Sequence, residues 1–320
     1  MKRPRIVVVG SSNTDMVVKS RRIPAPGETV TGGTFVLAPG GKGANQAVAA
    51  ARLGAEVTFV ARVGADAFGD QAIAGYTRDG ILVDLIARDE AHATGVALIL
   101  VDDRGENAIS VASGANHAMT PEDISRAAER IRAADVLVLQ LETPLPAVTR
   151  AAEIAAGAGV TVILDPAPAP DEPLPEELLR HVTCIKPNET EAERLTGVPV
   201  RDEAGARAAA ARLLDSGPRC AIITLGAKGA LLAEAGGMSL VPTIEIQATD
   251  STAAGDAFTG ALACGLGSGM PLPDAVRLAS LAGALTATRM GAQPSLPTRS
   301  ELHQFCRDRG MGSLTTHLRF

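Results

Sequence analysis

Short β-branched runs and longer alanine-rich stretches alternate along most of the chain. In the alanine-rich stretches the apolar positions recur at helical spacing, whereas the short runs have the composition of buried strands. Strands are predicted at residues 6–9, 57–61, 136–140, 160–165 and 220–225. Helices are predicted at residues 45–53, 121–133, 145–158 and 204–216, and most of residues 255–289 is also predicted to be helical. The alternation predicts an α/β fold of three layers, in which helices flank a mostly parallel central sheet.

Two segments lack the helical period and interrupt this alternation. Residues 16–37 contain several prolines and glycines, and residues 94–112 likewise have the pattern of strands joined by turns. We expect the two segments to form a small β-sheet of their own. A lid over an active site is the favoured interpretation, because many reactions require the exclusion of water. An edge used only for packing between subunits is the alternative.

The length of the chain leaves the number of domains open. A chain of 320 residues can hold two domains of average size, but a large sheet covered by helices on both faces also reaches this size. No low-complexity linker or internal repeat divides the sequence. We therefore predict a single domain over residues 1–310, followed by a loosely held tail over residues 311–320.

Composition narrows the classes of function. Hydrophobic residues make up 46% of the chain and charged residues 21%, proportions typical of a globular protein with a sizeable core. The formal net charge is -6 and aromatic residues account for 2%, whereas nucleic-acid surfaces need a basic track and stacking rings. No apolar run approaches the length of a membrane span. Small-molecule chemistry is therefore favoured, with neither nucleic acid nor membrane as a partner.

The cysteines and histidines do not have the spacing of a disulfide framework or a metal site. The 4 cysteines are far apart without a C-x-x-C pair, and the 5 histidines lack zinc-ligand spacing. The basic N-terminal residues precede an apolar run that is too short for a signal peptide. We therefore expect reduced thiols, no protein-bound zinc and a cytoplasmic location.

The segment best suited to catalysis has three small residues followed by a carboxylate: Ala253, Ala254, Gly255 and Asp256. At a helix start the first backbone N–H groups have no intrahelical acceptor, so an anion can bind there if no bulky side chain obstructs it. Asp256 would place a proton acceptor beside that anion, as phosphoryl transfer to a hydroxyl requires. An acidic residue in the first turn is also favoured electrostatically, so the segment alone leaves both interpretations open.

A glycine-rich segment precedes the first predicted helix and consists of Gly40, Gly41, Lys42, Gly43, Ala44 and Asn45. It does not match the P-loop, because the lysine is followed by glycine, and it does not match G-x-G-x-x-G. Its glycines would let a ligand approach the backbone, and Lys42 and Asn45 would offer donors to sugar hydroxyls. A tight turn with Asn45 as a helix cap is the alternative.

Further polar residues follow predicted strands, where ligands bind in open α/β sheets. Asn13, Asp15 and Glu142 could hold a polyol through paired hydrogen bonds, or each could be a turn or cap residue. Asn188 and Glu191 have the spacing of a helix capping box, and they could instead face a triphosphate with hydrated magnesium. Residues 224–229 contain two glycines that suit either a nucleotide lying along the backbone or a tight turn.

Taken in order, these motifs resemble the ribokinase family of carbohydrate kinases. The resemblance extends from residues 8–15 to residues 291–295, and its most specific blocks are residues 40–47 and 250–256. It implies ATP-dependent phosphorylation of the 5-hydroxyl of D-ribose, with Mg²⁺ as divalent cofactor and K⁺ as monovalent activator. Asp256 would then be the general base, and Ala253, Ala254 and Gly255 would form the anion hole.

The resemblance also implies three groups of binding residues. The sugar site would comprise Asn13, Thr14, Asp15, Gly41, Lys42, Gly43, Ala44, Asn45 and Glu142. The nucleotide and magnesium site would comprise Asn188, Glu191, Thr224, Leu225, Gly226, Ala227, Lys228, Gly229, Gly255 and Ser280. The monovalent cation would lie at Asp250, Thr252, Thr286, Arg289, Gly291 and Ser295, held largely by backbone carbonyls. Ser280 departs from the pattern, because relatives carry a histidine near the adenine.

Other activities remain open at this stage. A related kinase could act on deoxyribose, a nucleoside, fructose or another sugar, although Asp15, Lys42 and Glu142 favour ribose. A sugar-binding regulator that has lost catalysis is the alternative from another class, and the presence of Asp256 argues against it. We also expect a homodimer formed through the exposed edge of the small sheet.

Overall fold

The structure is a computed structural model that describes residues 3–318. Its strands are β1 (Arg5–Val9), β2 (Asn13–Lys19), β3 (Thr34–Gly40), β4 (Glu56–Gly64), β5 (Ile86–Asp89), β6 (Gly95–Val101), β7 (Asn107–Ala112), β8 (Val136–Leu139), β9 (Thr161–Leu164), β10 (Cys184–Ile185), β11 (Cys220–Thr224), β12 (Ala230–Glu234) and β13 (Gly237–Val241). The five strands predicted from the β-branched runs correspond to β1, β4, β8, β9 and β11.

The helices surround these strands. They are α1 (Lys42–Arg52), α2 (Ala67–Arg78), α3 (Pro121–Arg126), α4 (Ala128–Ala133), α5 (Leu145–Gly157), α6 (Glu176–Leu179), α7 (Glu189–Thr196), α8 (Glu203–Asp215), α9 (Ala254–Gly267), α10 (Leu272–Ala287) and α11 (Arg299–Arg307). Short 3-10 helices lie at Gly114–Ala118, Gly226–Lys228, Gln293–Ser295 and Gly312–Leu318. The helix predicted at residues 121–133 is divided at Ala127 into α3 and α4.

The main sheet has nine strands in the order β13-β12-β11-β10-β9-β8-β1-β4-β5. Neighbouring strands from β11 to β5 are parallel, and β12 and β13 add an antiparallel hairpin at one edge. Within β1, Ile6 and Val8 join one buried cluster, and Val7 and Val9 join another on the opposite face. Both faces are therefore covered, and the predicted three-layer architecture is confirmed.

A second sheet of four strands, in the order β3-β2-β6-β7, stands apart from the main sheet. These strands lie within the two segments that lack the helical period, extended at the beginning of β2 and the end of β3. We call it the lid sheet. It begins at the proposed sugar site, because Asn13 pairs with Gly40 on β3 and with Gly95 on β6.

The C-terminal segment differs from the loosely held tail expected there. Gly312–Leu318 forms a 3-10 helix, and the side chain of Leu318 is fully buried in the core cluster next to α11. His303 Nδ1 lies 2.5 Å from Thr315 Oγ1, and Arg299 donates to the Leu318 carbonyl. Apolar burial and these contacts hold the segment, so the expectation is wrong as far as residue 318; residues 319 and 320 lie outside the described residues.

Among residues 3–318, no helix has both the length and the apolar character needed to cross a bilayer.

Candidate active site

The candidate site lies where strands of the main sheet end and helices begin. The loop after β1 leads through Ser11 and Ser12 into β2, and α1 begins at Lys42. Glu142, Asp165 and Lys186 follow β8, β9 and β10, respectively. Because the carboxyl ends of parallel strands meet at one edge of a sheet, residues far apart in sequence become neighbours here.

Asp256 lies in the first turn of α9 and is almost completely buried, with 6% of its surface exposed. Asn45 Nδ2 donates to its Oδ2 at 2.9 Å, and Gln46 Nε2 donates to its Oδ1 at 3.0 Å. Asn45 lies inside α1, whose N-cap is Gly41, so the interpretation of Asn45 as a helix cap is wrong. The glycine-rich segment and the small-residue segment thus meet at one carboxylate.

The surroundings of Asp256 raise its pKa above the usual range. Burial is the main cause, and the negative charge of Asp165 adds to it. The ammonium of Lys42 and the amide donors of Asn45 and Gln46 act in the opposite direction. A carboxylate that is both buried and raised in pKa is a better proton acceptor than an exposed one.

The start of α9 has the open backbone that an anion site requires. Ala253 has a φ of 59°, which makes it the one non-glycine residue with a positive φ among residues 3–318. The Ala254 N–H donates to the Ser251 carbonyl at 3.1 Å, while the N–H groups of Gly255 and Asp256 have no protein acceptor in the described chain. The free donors of the expected anion hole are therefore at Gly255 and Asp256, and the amide of Ala254 is already engaged.

Lys42 brings positive charge to the centre of the site. Burial alone would lower the pKa of its ammonium, but the carboxylates of Asp256, Asp165, Glu142 and Glu191 together raise it. Lys42 therefore stays protonated at neutral pH. Its backbone N–H also donates to Glu142 Oε2 at 3.0 Å, which fixes the start of α1 against the end of β8.

Asp15, Asn13 and Asn45 present a mixed set of donors and acceptors beside Asp256. Burial, followed by the charges of Glu142 and Asp256, raises the pKa of Asp15 to about 6. Asn116 Nδ2 donates to Asn13 Oδ1 at 2.7 Å, which leaves the Asn13 Nδ2 group to donate elsewhere. The Oδ1 atom of Asn45 is buried without a partner. Such unsatisfied polar atoms suit a polyol, which both donates and accepts hydrogen bonds.

The glycines of the glycine-rich segment, residues 40–45, make room for protein atoms. A Cβ on Gly40 would overlap the Asp15 carboxylate, and one on Gly43 would lie 2.5 Å from the Ser11 backbone nitrogen. Gly41 has a φ of 91°, which favours glycine. Ala44 is fully buried in the core, and its N–H donates to the Ser11 carbonyl. These small residues therefore let α1 pack directly against the loop after β1.

Thr14 and Glu142 complete the residues expected at the sugar site. Thr14 lies in β2 between Asn13 and Asp15 and is largely buried. Glu142 Oε2 accepts from the Ser11 hydroxyl and from the backbone N–H of Lys42. Glu142 thus connects β8, the loop after β1 and the start of α1.

Asn188 and Glu191, expected at the nucleotide and magnesium site, form the capping box that their spacing predicted. Asn188 Oδ1 accepts from the Glu191 N–H, and Glu191 Oε2 accepts from the Asn188 N–H, both at 2.8 Å. Burial, and then the charge of Asp165, raises the pKa of Glu191. The ammonium groups of Lys186 and Lys42 act in the opposite direction, so Glu191 faces charges of both signs in addition to capping α7.

The loop after β11 lies beside this capping box. Thr224 forms a bridge with Asn188, and the loop continues as a 3-10 turn with Gly226, Ala227 and Lys228. The N–H of Leu225 donates to the Gly229 carbonyl, and a Cβ on Gly229 would overlap the Val241 carbonyl, so the turn interpretation holds for that glycine.

Ser280 lies on α10 and is largely buried. Its Oγ donates to the Val276 carbonyl at 3.0 Å, so the hydroxyl proton is used within the helix.

Asp250 joins the loop before α9 to the loop after α10. Its Oδ1 accepts from the backbone and side chain of Thr252, and its Oδ2 accepts from the Gly291 N–H at 2.8 Å. The Thr286 carbonyl accepts from the Arg289 N–H. Ser295 is buried in the following 3-10 turn. The residues expected at the monovalent cation site thus lie in the loop before α9, in the last turn of α10 and in the segment that follows it, and Asp250 connects the first of these to the last.

Within residues 3–318, no group of three or more His, Cys, Asp or Glu side chains is arranged to hold a metal ion.

Sequence reasoning did not identify several residues of the site. Asp165 and Lys186 form a buried ion pair of 3.1 Å, and Gln46 contacts Asp165 and Asp256. Asn116 holds Asn13, and Ser11 holds Glu142. The positions of Asp165 and Lys186 at strand ends were a usable signal, whereas Asn116 comes from a 3-10 helix that sequence does not connect to β2.

Comparison with known proteins agrees with this geometry. A family profile described as pfkB family carbohydrate kinase matches residues 3–299. The ribokinase of Haemophilus influenzae is 43% identical over 303 residues, which cover 95% of this chain and 98% of that protein. The deoxyribokinase of Salmonella typhi is 38% identical, with coverage of 94% and 98%. The chain belongs to the pfkB family of carbohydrate kinases.

Solved structures show the same architecture. The structure of Arabidopsis thaliana ribokinase complexed with ribose and ATP has a TM-score of 0.87 and 34% sequence identity, and the match covers 100% of both chains.

Proposed function

We propose that the protein transfers the γ-phosphoryl group of ATP to the 5-hydroxyl of D-ribose, giving D-ribose 5-phosphate and ADP. The observation that carries this proposal is the contact between Asn45 and Asp256, which brings sugar-binding donors, a buried base and a helix start to one point. Relatives that are named ribokinases and match nearly the whole chain support the choice of ribose.

In the proposed reaction Asp256 accepts the proton of the sugar hydroxyl. The hydroxyl oxygen forms a bond to the γ-phosphorus, and the bond from that phosphorus to the bridging oxygen of ADP breaks. The free N–H groups of Gly255 and Asp256 bind the phosphoryl oxygens as charge develops. Lys42 remains charged beside them and stabilises the same negative charge.

Asn188 and Glu191 would hold the triphosphate end of the nucleotide together with hydrated Mg²⁺. Magnesium, when bound, neutralises phosphate charge, and it prefers carboxylate and phosphate oxygens with several waters. The residues fit this ion, because Glu191 offers a carboxylate oxygen: its Oε2 accepts from the Asn188 N–H, and its Oε1 has no protein hydrogen bond within the described chain. The backbone of residues 224–229 would lie along the nucleotide, and Ser280 would lie near the adenine.

We further propose a K⁺ site at the loops connected by Asp250. The oxygens of Asp250, Thr252, Thr286, Arg289, Gly291 and Ser295 would surround the ion. These residues fit a weakly hydrated cation, because their backbone carbonyls can coordinate it. The Asp250 carboxylate accepts three protein hydrogen bonds, from Thr252 and Gly291, and so holds together the loops that carry these carbonyls. The ion would stabilise the loop that leads into α9 and so the anion hole.

The lid sheet supports the proposal of a homodimer. Strand registry places Phe35, Leu37 and Leu98 on the face opposite Asp15, and their side chains are 60%, 42% and 53% exposed. The face that carries Asp15 also exposes apolar side chains, since Val36, Ile109 and Val111 are 51%, 56% and 52% exposed. An exposed apolar patch of this kind would be covered by a second copy of the chain. Phe35→Asp should shift the molar mass measured by light scattering from dimer to monomer; an unchanged dimer would contradict this interface.

Free thiols support a cytoplasmic location. Cys184, Cys220, Cys264 and Cys306 are all buried and unbridged. The widely spaced cysteines form no C-x-x-C pair and no disulfide framework, which supports a compartment that keeps thiols reduced.

An assay of ADP release over a panel of acceptors tests the proposed activity. The panel contains D-ribose, 2-deoxy-D-ribose, fructose and a nucleoside, each with and without KCl. Ribose should give the highest kcat/KM. A higher value for 2-deoxyribose would assign the chain to the activity named for the Salmonella relative. Sugar binding by calorimetry without any ADP release would instead indicate a regulator.

A further inference from the structure

We propose that Gln46 is a positioning residue of the phosphoryl transfer. Its side-chain amide holds the carboxylate of Asp256 and connects it to the Asp165–Lys186 ion pair beside the start of α9. This inference rests on the proposed role of Asp256 as the base.

The amide nitrogen of Gln46 donates both of its protons in hydrogen bonds to carboxylates. It is fully buried in α1, and Nε2 lies 3.0 Å from Asp256 Oδ1 and 2.8 Å from Asp165 Oδ2. Asn45, the preceding residue, donates to the other oxygen of Asp256. Both carboxylate oxygens are therefore held by amides of α1, and the carboxylate plane cannot turn without breaking a buried hydrogen bond.

A third buried amide sets the direction of the Gln46 side chain. Gln140 Nε2 donates to Gln46 Oε1 at 2.7 Å, and Gln140 is also fully buried. If the Gln46 amide were reversed, its oxygen would face two carboxylates and its nitrogen would face the Gln140 donor. Like groups would then oppose each other at three contacts, so only one orientation of the amide satisfies its neighbours.

The other end of the connection returns to the anion site. Lys186 Nζ lies 3.1 Å from Asp165 Oδ2, and both side chains are 4% exposed. The same ammonium lies 3.7 Å from the position that a Cβ on Gly255 would occupy. Gln46 and Asp165 thus join the proposed base to a cation at the start of α9, within one buried network.

The charged groups that face Asp256 show what loss of Gln46 would do. Lys42 on α1 favours the ionised carboxylate, while Asp165 after β9 and Asp15 on β2 oppose it. Without the Gln46 donor, Oδ1 would face the negative Asp165 directly, so the carboxylate would turn or bind a proton more readily. Either change would impair proton acceptance without removing a group that binds the sugar.

Gln46→Met tests the proposal, because methionine has similar length and no donor. We expect kcat for ribose phosphorylation to fall by about 10- to 100-fold, the cost of a displaced catalytic group, with the KM for ribose within about twofold of wild type. The acid limb of the kcat profile should also move to higher pH. Ile131→Val, which removes one methyl group from a fully buried site on α4, controls for a small loss of packing.

A second variant covers the case in which Gln46→Met fails to fold. Gln46→Glu keeps the shape but can donate at most one hydrogen bond, and only when protonated, so kcat at neutral pH should fall as it does in Gln46→Met. A folded Gln46 variant with wild-type kcat and pH profile would overturn the proposal. Asp256→Asn in the same assay separates the two hypotheses: if it retains turnover, the proposed role of the base fails instead.

Discussion

Asn45 Nδ2 lies 2.9 Å from Asp256 Oδ2, although the two residues are 211 positions apart in the chain. The contact joins the first turn of α1 to the first turn of α9. It also leaves Asn45 Oδ1 buried without a partner, directed away from the carboxylate that its own nitrogen holds. A neighbouring hydroxyl of the sugar would donate to that oxygen, while the acceptor hydroxyl gives its single proton to Asp256.

Asp256→Asn should therefore separate binding from catalysis. An asparagine cannot accept the proton, so we expect kcat to fall by about 10²- to 10⁴-fold while ribose affinity, measured by calorimetry, changes little. In this variant an NH2 group replaces one carboxylate oxygen and faces the amide donor of either Asn45 or Gln46. Some loss of thermal stability is therefore expected as well. Near-normal turnover in a folded variant would contradict the assignment of the base.

Much of the fold was predictable because its periodicity is strong. The β-branched runs became β1, β4, β8, β9 and β11, and the two segments without helical period became the lid sheet. The hairpin of β12 and β13 was missed, since it lies at the sheet edge and its outer strand is mostly exposed. The C-terminal segment was missed because Leu318 packs on α11, a tertiary contact that local sequence does not encode.

The site was predictable where a residue type follows a strand or opens a helix. Asp256, Asn45 and Glu142 were proposed in this way, and the structure brings Asp256 and Asn45 into contact. Asp165 and Lys186 were missed because each is an ordinary polar residue until the sheet brings them within 3.1 Å. Long-range pairing of this kind depends on sheet order, which spacing alone does not give.

Asp15→Asn should stabilise the protein at alkaline pH. Burial and neighbouring carboxylates raise the folded pKa to about 6 from 3.8, so the native state loses stability as the pH rises through that value. Removing the charge should raise the free energy of unfolding at pH 8 by on the order of 1–3 kcal/mol. The gain should shrink on acidification and be nearly absent at about pH 4.

Urea unfolding at several pH values measures this effect, with Asp84→Asn, an exposed carboxylate paired with Arg130, as control. Ribose affinity of Asp15→Asn should fall at the same time. A variant that is no more stable than wild type at pH 8 would show that the charge of Asp15 does not lower the free energy of unfolding.

Ala253 has an unusual backbone conformation at the start of α9. Its φ of 59° is unfavourable for a residue with a side chain by about 1–2 kcal/mol, and more so for a β-branched one. We expect Ala253→Gly to keep wild-type kcat with a change in stability below about 1 kcal/mol, because relieved strain offsets added chain entropy.

Ala253→Val should instead lower the melting temperature and reduce kcat by about 10²-fold, since the free amides of Gly255 and Asp256 would shift. Thermal unfolding and steady-state kinetics of both variants provide the comparison. If valine leaves kcat unchanged in a folded protein, the turn at Ala253 does not position the anion hole.

Asp250→Asn should weaken activation by potassium. The Asp250 carboxylate holds Thr252 and Gly291 through three hydrogen bonds, two of which reach Thr252 through its backbone and hydroxyl. An amide group would replace one acceptor by a donor and separate the two loops. We expect the K⁺ concentration for half-maximal activity to rise by about 10- to 100-fold, as when groups that orient metal ligands are changed.

Ribose phosphorylation titrated with KCl, at constant ionic strength kept with choline chloride, measures this shift. Asp274→Asn is the matched control, because it changes an exposed carboxylate in the first turn of α10. The other end of this helix leads into the loop that contains Gly291. Unchanged K⁺ dependence in Asp250→Asn would place the ion elsewhere, and a wild-type enzyme indifferent to K⁺ would refute the cation site itself.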